Sequence, residues 1–550
     1  MVSLLLWFAL LTAPALAAGP PGGAVATEHP LAAAAGAEVL RAGGSVVDAA
    51  IAAAAAICVV HPSSCGIGGG GFALVHRADG SDFALDYREQ APAAARPDRF
   101  APNGHPEPAL LRTGGLAVGV PGEAAGIAAL HRRFGRLPLV RVLDPAIRLA
   151  RDGFSLDATP HLRREIERSS GLLAADPGLK SIFLAPDGSL PGTGFRVVQA
   201  DLARTLASVA RHGARAFQQG PLPEAIARTV QARGGVLSTA DLAGYRPIWR
   251  KPLHGTFRGR RIVTFPPPGS GGVVLEVLGL LGRDDLPALE PGSATTLHLL
   301  AAAMAQAFAD RARWYGDPAF ASVPVEGLLA PPRLRALRQG LSAVRVPTPR
   351  ATLTPDAGTA NVSVVDGEGN AAAITTTINT AFGAGILVPG TGIILNNELD
   401  DFALAPGVPN VYGLVGSEAN ALAPGKRPQS SMAPTIVLAG TRPELVVGGS
   451  GGPLIISSVA QVVIDVVAYG WDLTDAVRAP RVHDQGVPPM LAVEAGVDPV
   501  ARAALGRLGH RIIEQPGLGA ASAVGLRADG TPVAAGDLRK DGGGEVVERP

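Results

Sequence analysis

The chain has 550 residues, with 48 Lys+Arg against 47 Asp+Glu and a formal net charge of +1. An apolar fraction of 47% beside 17% charged residues excludes a disordered chain and supplies a large core. Near-zero charge argues against nucleic acid or anionic lipid as the main partner, and Gly 70 with Pro 48 but no G-X-Y period excludes collagen.

Residues 4–11 form a short apolar run, and Ala15-Leu16-Ala17 before Ala18 has the small side chains of a cleavage site. Residues 1–17 are therefore expected to be a secretory signal peptide, because a membrane span needs roughly 17–25 apolar residues. Export implies a periplasmic or extracellular protein. Residues 29–60 predict two Ala-rich helices broken at Ala42-Gly43-Gly44, and a glycine run, 66–71, leads into an alternating strand over 72–76. Cys58 and Cys65 are the only cysteines; a disulfide and two buried thiols fit equally. They are not CxxC, and the histidines lack ligand spacing, so no metal site is supported.

Residues 114–153 are mostly helical, with Gly153 closing a helix that contains 145–151. From 155 to 250 the pattern is helical and surface-like, with residues 163–168 reading as a solvated face. Pro266-Pro-Pro-Gly-Ser-Gly-Gly272 precedes an apolar helix over 273–281, and 294–314 is a further helix. Residues 341–358 are Pro/Thr-rich and loop-like. Strands then predominate: 361–365, a turn at 366–370, and 371–379, followed by helices at 455–468 and 497–508. This order predicts layers of sheet and helix.

Three segments carry candidate chemistry. Gly66-Ile67-Gly68-Gly69-Gly70-Gly71 fits G-x-G-x-x-G, but it follows a helix and precedes a strand, the reverse of a dinucleotide site. Gly448-Gly449-Ser450-Gly451-Gly452 fits the G-x-S-x-G of a nucleophile elbow, with Asp484 and His510 following in triad order. The chain before it lacks regular βα alternation, so a glycine turn with outward-facing amides is the better reading. In the third, the 366–370 turn pairs Val365 with Ala371, which sets Thr359 directly opposite Thr377 on one sheet face. An irregular segment ends in Gly358, and a strand begins with threonine.

Here the motifs resemble a family. Thr359-Ala-Asn-Val-Ser-Val-Val-Asp-Gly-Glu-Gly-Asn370, with Thr377-Ile-Asn379, resembles γ-glutamyltranspeptidases. Further matches are His29-Pro-Leu-Ala32, Gly68-Gly-Gly-Gly-Phe72, Arg88-Glu-Gln-Ala-Pro92, Pro268-Gly-Ser-Gly-Gly272 and Ala309-Asp-Arg-Ala312. Leu395-Asn-Asn-Glu-Leu-Asp-Asp-Phe402, Lys426-Arg-Pro-Gln-Ser-Ser-Met432 and Gly448-Gly-Ser-Gly-Gly452 complete the series in order, from about residue 28 to residue 544.

The resemblance implies an α+β fold, the four-layer αββα sandwich of N-terminal-nucleophile hydrolases, needing no metal or organic cofactor. It implies self-cleavage between Gly358 and Thr359 into a large subunit, 18–358, and a small subunit, 359–550, forming one interwoven domain. The freed Thr359 hydroxyl would attack a γ-glutamyl amide such as glutathione, its own α-amine acting as base with a reference pKa of about 7.7–8.0. Thr377 would orient it, and Gly451 and Gly452 would donate backbone N–H groups to the oxyanion. Arg88, Ser430 and Ser431 would hold the substrate α-carboxylate; Asn379, Glu398 and Asp401 would hold its α-amino group. Tyr412 belongs to a segment, Pro406-Gly-Val-Pro-Asn-Val-Tyr412, that resembles the lid of that site. Water, amino acids or peptides would accept the acyl group. Ala360 and Asn361 depart from the family's usual Thr or Ser followed by His, and strand alternation puts Asn361 on the nucleophile's face. A related acylase of glutaryl or other side chains, and an uncleaved binding protein of the same fold, are the rival readings.

Overall fold

A computed structural model describes residues 22–282, 286–341, 358–405 and 407–548. The expected signal peptide and residues 342–357 of the expected loop lie outside these. Two antiparallel sheets stack face to face. The first has seven strands in the order Gly543–Val547, Gly23–Thr27, Ala360–Asp366, Ala371–Thr377, Gly70–His76, Asp82–Asp86 and Ile248–Arg250. The second has six: Pro532–Ala535, Ala520–Leu526, Arg442–Ser450, Thr435–Ala439, Arg260–Thr264 and Leu253–Phe257. Both sheets draw strands from either side of position 358.

Helices cover the outer faces, giving four layers. The helix Val46–Val60 is buried along its whole length and packs on the two central strands of the first sheet. Its alanines allow the close approach, and a capping box of Ser45 and Asp48 fixes its start. On the other side, Gly271–Leu281, Ala294–Trp314 and Leu454–Val467 belong to the core that lines the second sheet. Strand alternation divides the apolar residues: Val362 and Val364 pack with the outer helices, whereas Val365, Ala371 and Ala373 pack between the sheets. Phe72 stacks on Phe265 across that interlayer at 4.1 Å between ring centroids.

The two helices expected in 29–60 form at Pro30–Arg41 and Val46–Val60, and the long one at Ala294–Trp314. Two expectations need correction. Residues 163–168 are not a solvated face throughout: Glu165 and Ile166 are buried beside His161 and Leu162, making the helix Pro160–Arg168 amphipathic. The segment before 358 also supplies more strand than the expected 72–76, since Asp82–Asp86, Ile248–Arg250, Leu253–Phe257 and Arg260–Thr264 enter the sheets. Cys58 and Cys65 form a disulfide. Among the described residues, no helix is long and apolar enough to cross a membrane.

Candidate active site

The hairpin has the expected register. Val365 pairs with Ala371 and Ala360 with Thr376, and the ladder ends there. One residue further, Thr359 Oγ1 lies 3.2 Å from Thr377 Oγ1 in a buried contact. Asn379 N–H donates to Thr377 Oγ1 at 2.8 Å, which holds the Thr377 hydroxyl in place beside Thr359. Thr359 N–H donates to Ser64 O at 2.8 Å. Thr359 has φ of +73°, a left-handed conformation that is strained for a β-branched residue.

Asn379 joins this hydroxyl pair to a second group of residues. Its amide Nδ2 donates to Asn397 O at 3.0 Å, immediately before Glu398. Residues Glu398–Asp401 form a single 3₁₀ turn, in which side chains three apart eclipse. Glu398 and Asp401 thus both reach Arg88: one guanidinium nitrogen pairs with Glu398, and Nη2 lies 2.5 Å from Asp401 Oδ2. Arg88 Nε and Nη2 also donate to Pro428 O (3.3 Å) and Gln429 O (3.1 Å). Burial opposes the Arg88 charge, but Glu398, Asp401 and Glu89 hold it above its ordinary pKa. Three carboxyl groups thus share one guanidinium in a largely buried cluster. Burial pushes Glu398 up, with Glu89 and Asp401 adding to the rise and Arg88 opposing it. Glu89 itself rises to about 8, mainly through burial. Asp401 retains a 14% exposed side chain, so this cluster reaches solvent there.

Ser430 and Ser431 follow in a buried loop segment. Ser430 O accepts from Ser270 Oγ at 2.6 Å, and the Ser431 hydroxyl accepts from Arg311 Nη2 at 3.1 Å. Arg311 Nε donates to Ser270 Oγ at 3.0 Å, which accounts for the Ala309-Asp-Arg-Ala312 motif as support behind the two serines. The strand Arg442–Ser450 turns through Gly451 (φ +124°) and Gly452 (φ +55°) into the helix Leu454–Val467. A Cβ on Gly452 would lie 2.8 Å from the Tyr412 ring, so glycine permits the Tyr412 segment to close over this turn. Tyr412 OH donates to Asn379 O at 2.7 Å, and Asn410 Nδ2 donates to Asp401 Oδ1 at 3.0 Å. The lid-like segment is therefore tied to both halves of the site; Pro406 lies outside the described residues.

The elbow reading fails on geometry. Ser450 is a fully buried strand residue whose hydroxyl accepts from Lys540 Nζ at 3.1 Å. His510 is engaged with His298 at 2.7 Å, and Asp484 accepts from Gly486 N–H. The glycine run at 66–71 has a packing role instead: a Cβ on Gly69 would lie 2.0 Å from Thr377 O. Asn361 does face the second sheet, with its amide 3.1 Å from Ser363 Oγ and 3.0 Å from Thr375 Oγ1. Sequence reasoning missed Ser64, Asn397, Glu28 and Lys540. Asn397 lies in the 395–402 motif without a role read from it, and Ser64, Glu28 and Lys540 carry no local signature because each acts through partners remote in the chain.

The sequence matches the γ-glutamyltranspeptidase family model over residues 32–547. The glutathione hydrolase proenzyme of Escherichia coli (strain K12) is 38% identical over 493 residues, covering 88% of this chain and 84% of that protein. The acylase ACY 1 proenzyme of Pseudomonas sp. (strain SE83) is 37% identical over 531 residues, covering 94% and 92%. Among solved structures, cephalosporin acylase from Bacillus halodurans has a TM-score of 0.85 at 29% identity, covering 98% of this chain and 99% of that one. γ-Glutamyltranspeptidase from Helicobacter pylori has a TM-score of 0.55 at 37% identity, covering 57% and 90%.

Proposed function

The chain belongs to the γ-glutamyltranspeptidase family, and from that membership and the site geometry we propose that it transfers γ-glutamyl groups from glutathione and similar amides to water, amino acids or peptides. The fold is that of the N-terminal-nucleophile hydrolases. The observation that carries the reading is the continuity from Thr359 through Thr377 and Asn379 to Asn397 and Glu398. It links a candidate nucleophile through buried hydrogen bonds to charges suited to a zwitterionic amino acid.

The chain is first cut between Gly358 and Thr359, leaving a large part from 18 to 358 and a small part from 359 to 550. Both sheets mix strands from the two parts, which supports a product that stays together as one body. The new Thr359 α-amine then takes the hydroxyl proton, and the hydroxyl attacks the γ-carbonyl. Thr377 orients that hydroxyl. Gly451 and Gly452 N–H groups receive the oxyanion, and the released amine carries away a proton before water or an acceptor amine resolves the γ-glutamyl ester. Arg88 with Ser430 and Ser431 holds the α-carboxylate. Glu398 and Asp401, which neutralise Arg88 without substrate, exchange onto the ammonium alongside Asn379. Tyr412 covers the bound donor. Residues 1–17 support export to the periplasm or the medium.

Similarity to acylases over most of the chain supports a second donor class, glutaryl or related side-chain amides. Such a donor lacks the ammonium that Glu398 and Asp401 would meet, so the γ-glutamyl reading is preferred. Intact mass spectrometry of the purified protein with glutathione, and separately with a glutaryl anilide, tests both. Cleavage before Thr359 and a γ-glutamyl adduct on the small part are expected. An adduct from the glutaryl amide alone overturns the donor assignment, and a persistent full-length chain overturns the self-processing.

A further inference from the structure

We propose that Lys540 is the electrophilic catalyst of precursor self-cleavage, its ammonium polarising the Gly358 carbonyl while Thr359 attacks it. The inference rests on the reading above that the chain is cut between these two residues.

Lys540 is buried, and its Nζ faces the scissile segment: 2.8 Å from Thr359 O, 3.1 Å from Ser450 Oγ and 3.4 Å from Gly358 O. An ammonium has three donors, and these three oxygens lie within their reach. Glu28 Oε2 lies 3.4 Å from Nζ, while Glu28 Oε1 accepts the Asn361 N–H at 3.1 Å. The carboxylate paired with Lys540 is thus also anchored to the strand that follows Thr359. Burying an ammonium against backbone carbonyls is costly, and the second sheet is built to hold it there. Lys540 ends a short turn, Leu538–Lys540, capped by Asp537, and Asp537 pairs with Arg481 at 2.7 Å and accepts from Ala521 N–H at 2.9 Å.

The scissile residues are constrained to match. A Cβ on Gly358 would lie 1.6 Å from Asn379 O, so only glycine fits before the cut. Thr359 sits in its strained left-handed conformation directly after it. In the reaction, the Thr359 Oγ–carbon bond forms at the Gly358 carbonyl, and the carbonyl electron pair moves to the oxygen that Lys540 faces. The Thr359 hydroxyl proton passes to the Thr359 nitrogen. The C–N bond then breaks, leaving the α-amine and an ester between Gly358 and Thr359 Oγ. One water hydrolyses that ester to the Gly358 carboxylate and the free hydroxyl. The developing negative charge falls on the Gly358 oxygen, where a fixed cation acts without reorganisation.

The test follows cleavage of the full-length chain by intact mass, with thermal melting and far-UV circular dichroism to confirm folding. Lys540→Met is expected to cleave at least about 100-fold more slowly than wild type, the loss typical for one oxyanion donor. Lys540→Arg, which keeps the charge, is expected within about tenfold of wild type. The pair Lys540→Met/Glu28→Gln leaves no uncompensated buried carboxylate and is read where the single variant does not fold. A folded Met variant that cleaves at the wild-type rate overturns the assignment, and so does equal slowing in the Met and Arg variants. A wild-type chain that never cleaves before Thr359 overturns the processing reading instead.

Discussion

Thr359 Oγ1 and Thr377 Oγ1 face each other at 3.2 Å just beyond the last rung of the hairpin, and the Asn379 N–H occupies an acceptor position of the Thr377 hydroxyl. That bond fixes the Thr377 hydroxyl beside Thr359, where it can support an attacking oxygen. Thr377→Val keeps the shape and removes the hydroxyl. It is expected to lower kcat on a γ-glutamyl anilide by about 10²–10⁴-fold, the range for positioned proton-transfer groups, with KM little changed. Thr377→Ser should retain most of the rate. A Val variant within threefold of wild type would remove Thr377 from the chemistry.

Ser450 separates the two nucleophile readings. Its hydroxyl is buried in a strand and accepts from Lys540, so it has no exposed lone pair for attack on a donor. Ser450→Ala is expected to form the γ-glutamyl adduct on mass spectrometry, and Thr359→Ala is expected to form none. The opposite pattern would restore the elbow.

The hairpin was legible because its turn is chemically explicit. Asp366 Oδ1 accepts the N–H groups of Glu368 and Asn370, which fixes the loop length and hence the partner of every residue after it. The strands at Leu253–Phe257 and Arg260–Thr264 were not legible. They form the exposed end of the second sheet, and His254, Arg260 and Arg261 break the apolar pattern where solvent reaches them. The strand Thr435–Ala439 was missed for the opposite reason: in the middle of the second sheet, it is buried at its first four positions and shows no polar–apolar alternation. At the site, Arg88 and the 398–401 turn could be paired by resemblance. Lys540 could not, since its counter-ion Glu28 lies at the other end of the chain.

Glu123 predicts a pH dependence of stability. It opens the helix Glu123–Phe134, is buried, and accepts from Thr376 Oγ1 at 2.8 Å on the central hairpin. Burial raises its pKa from 4.5 to about 7, with the Thr376 bond opposing the rise. Between those values the folded state binds more protons than the unfolded state. Its stabilising contribution is complete below about pH 4.5 and is lost as the pH rises through about 7. Glu123→Gln cannot ionise and removes that slope. Denaturant titrations from pH 4.5 to 7.5 should show the variant gaining roughly 3 kcal/mol relative to wild type across the window. Parallel curves would show that Glu123 is ionised throughout.

Arg88 offers a test of what the donor site recognises. Its planar fork reaches Glu398 and Asp401 with separate nitrogens while Nε and Nη2 hold the Pro428 and Gln429 carbonyls. A lysine at 88 keeps one positive charge but cannot satisfy this geometry. Arg88→Lys leaves the threonine pair untouched, so the loss should fall on binding: KM for glutathione is expected to rise about 30–100-fold, equivalent to roughly 2–3 kcal/mol, with kcat within a few-fold. A γ-glutamyl donor whose α-carboxylate is amidated makes the comparison decisive. It should bind wild type poorly and discriminate little between wild type and Arg88→Lys, because the interaction the fork provides is already missing. If the lysine variant loses the same factor on both donors, Arg88 acts by organising Glu398 and Asp401 and not by holding the carboxylate.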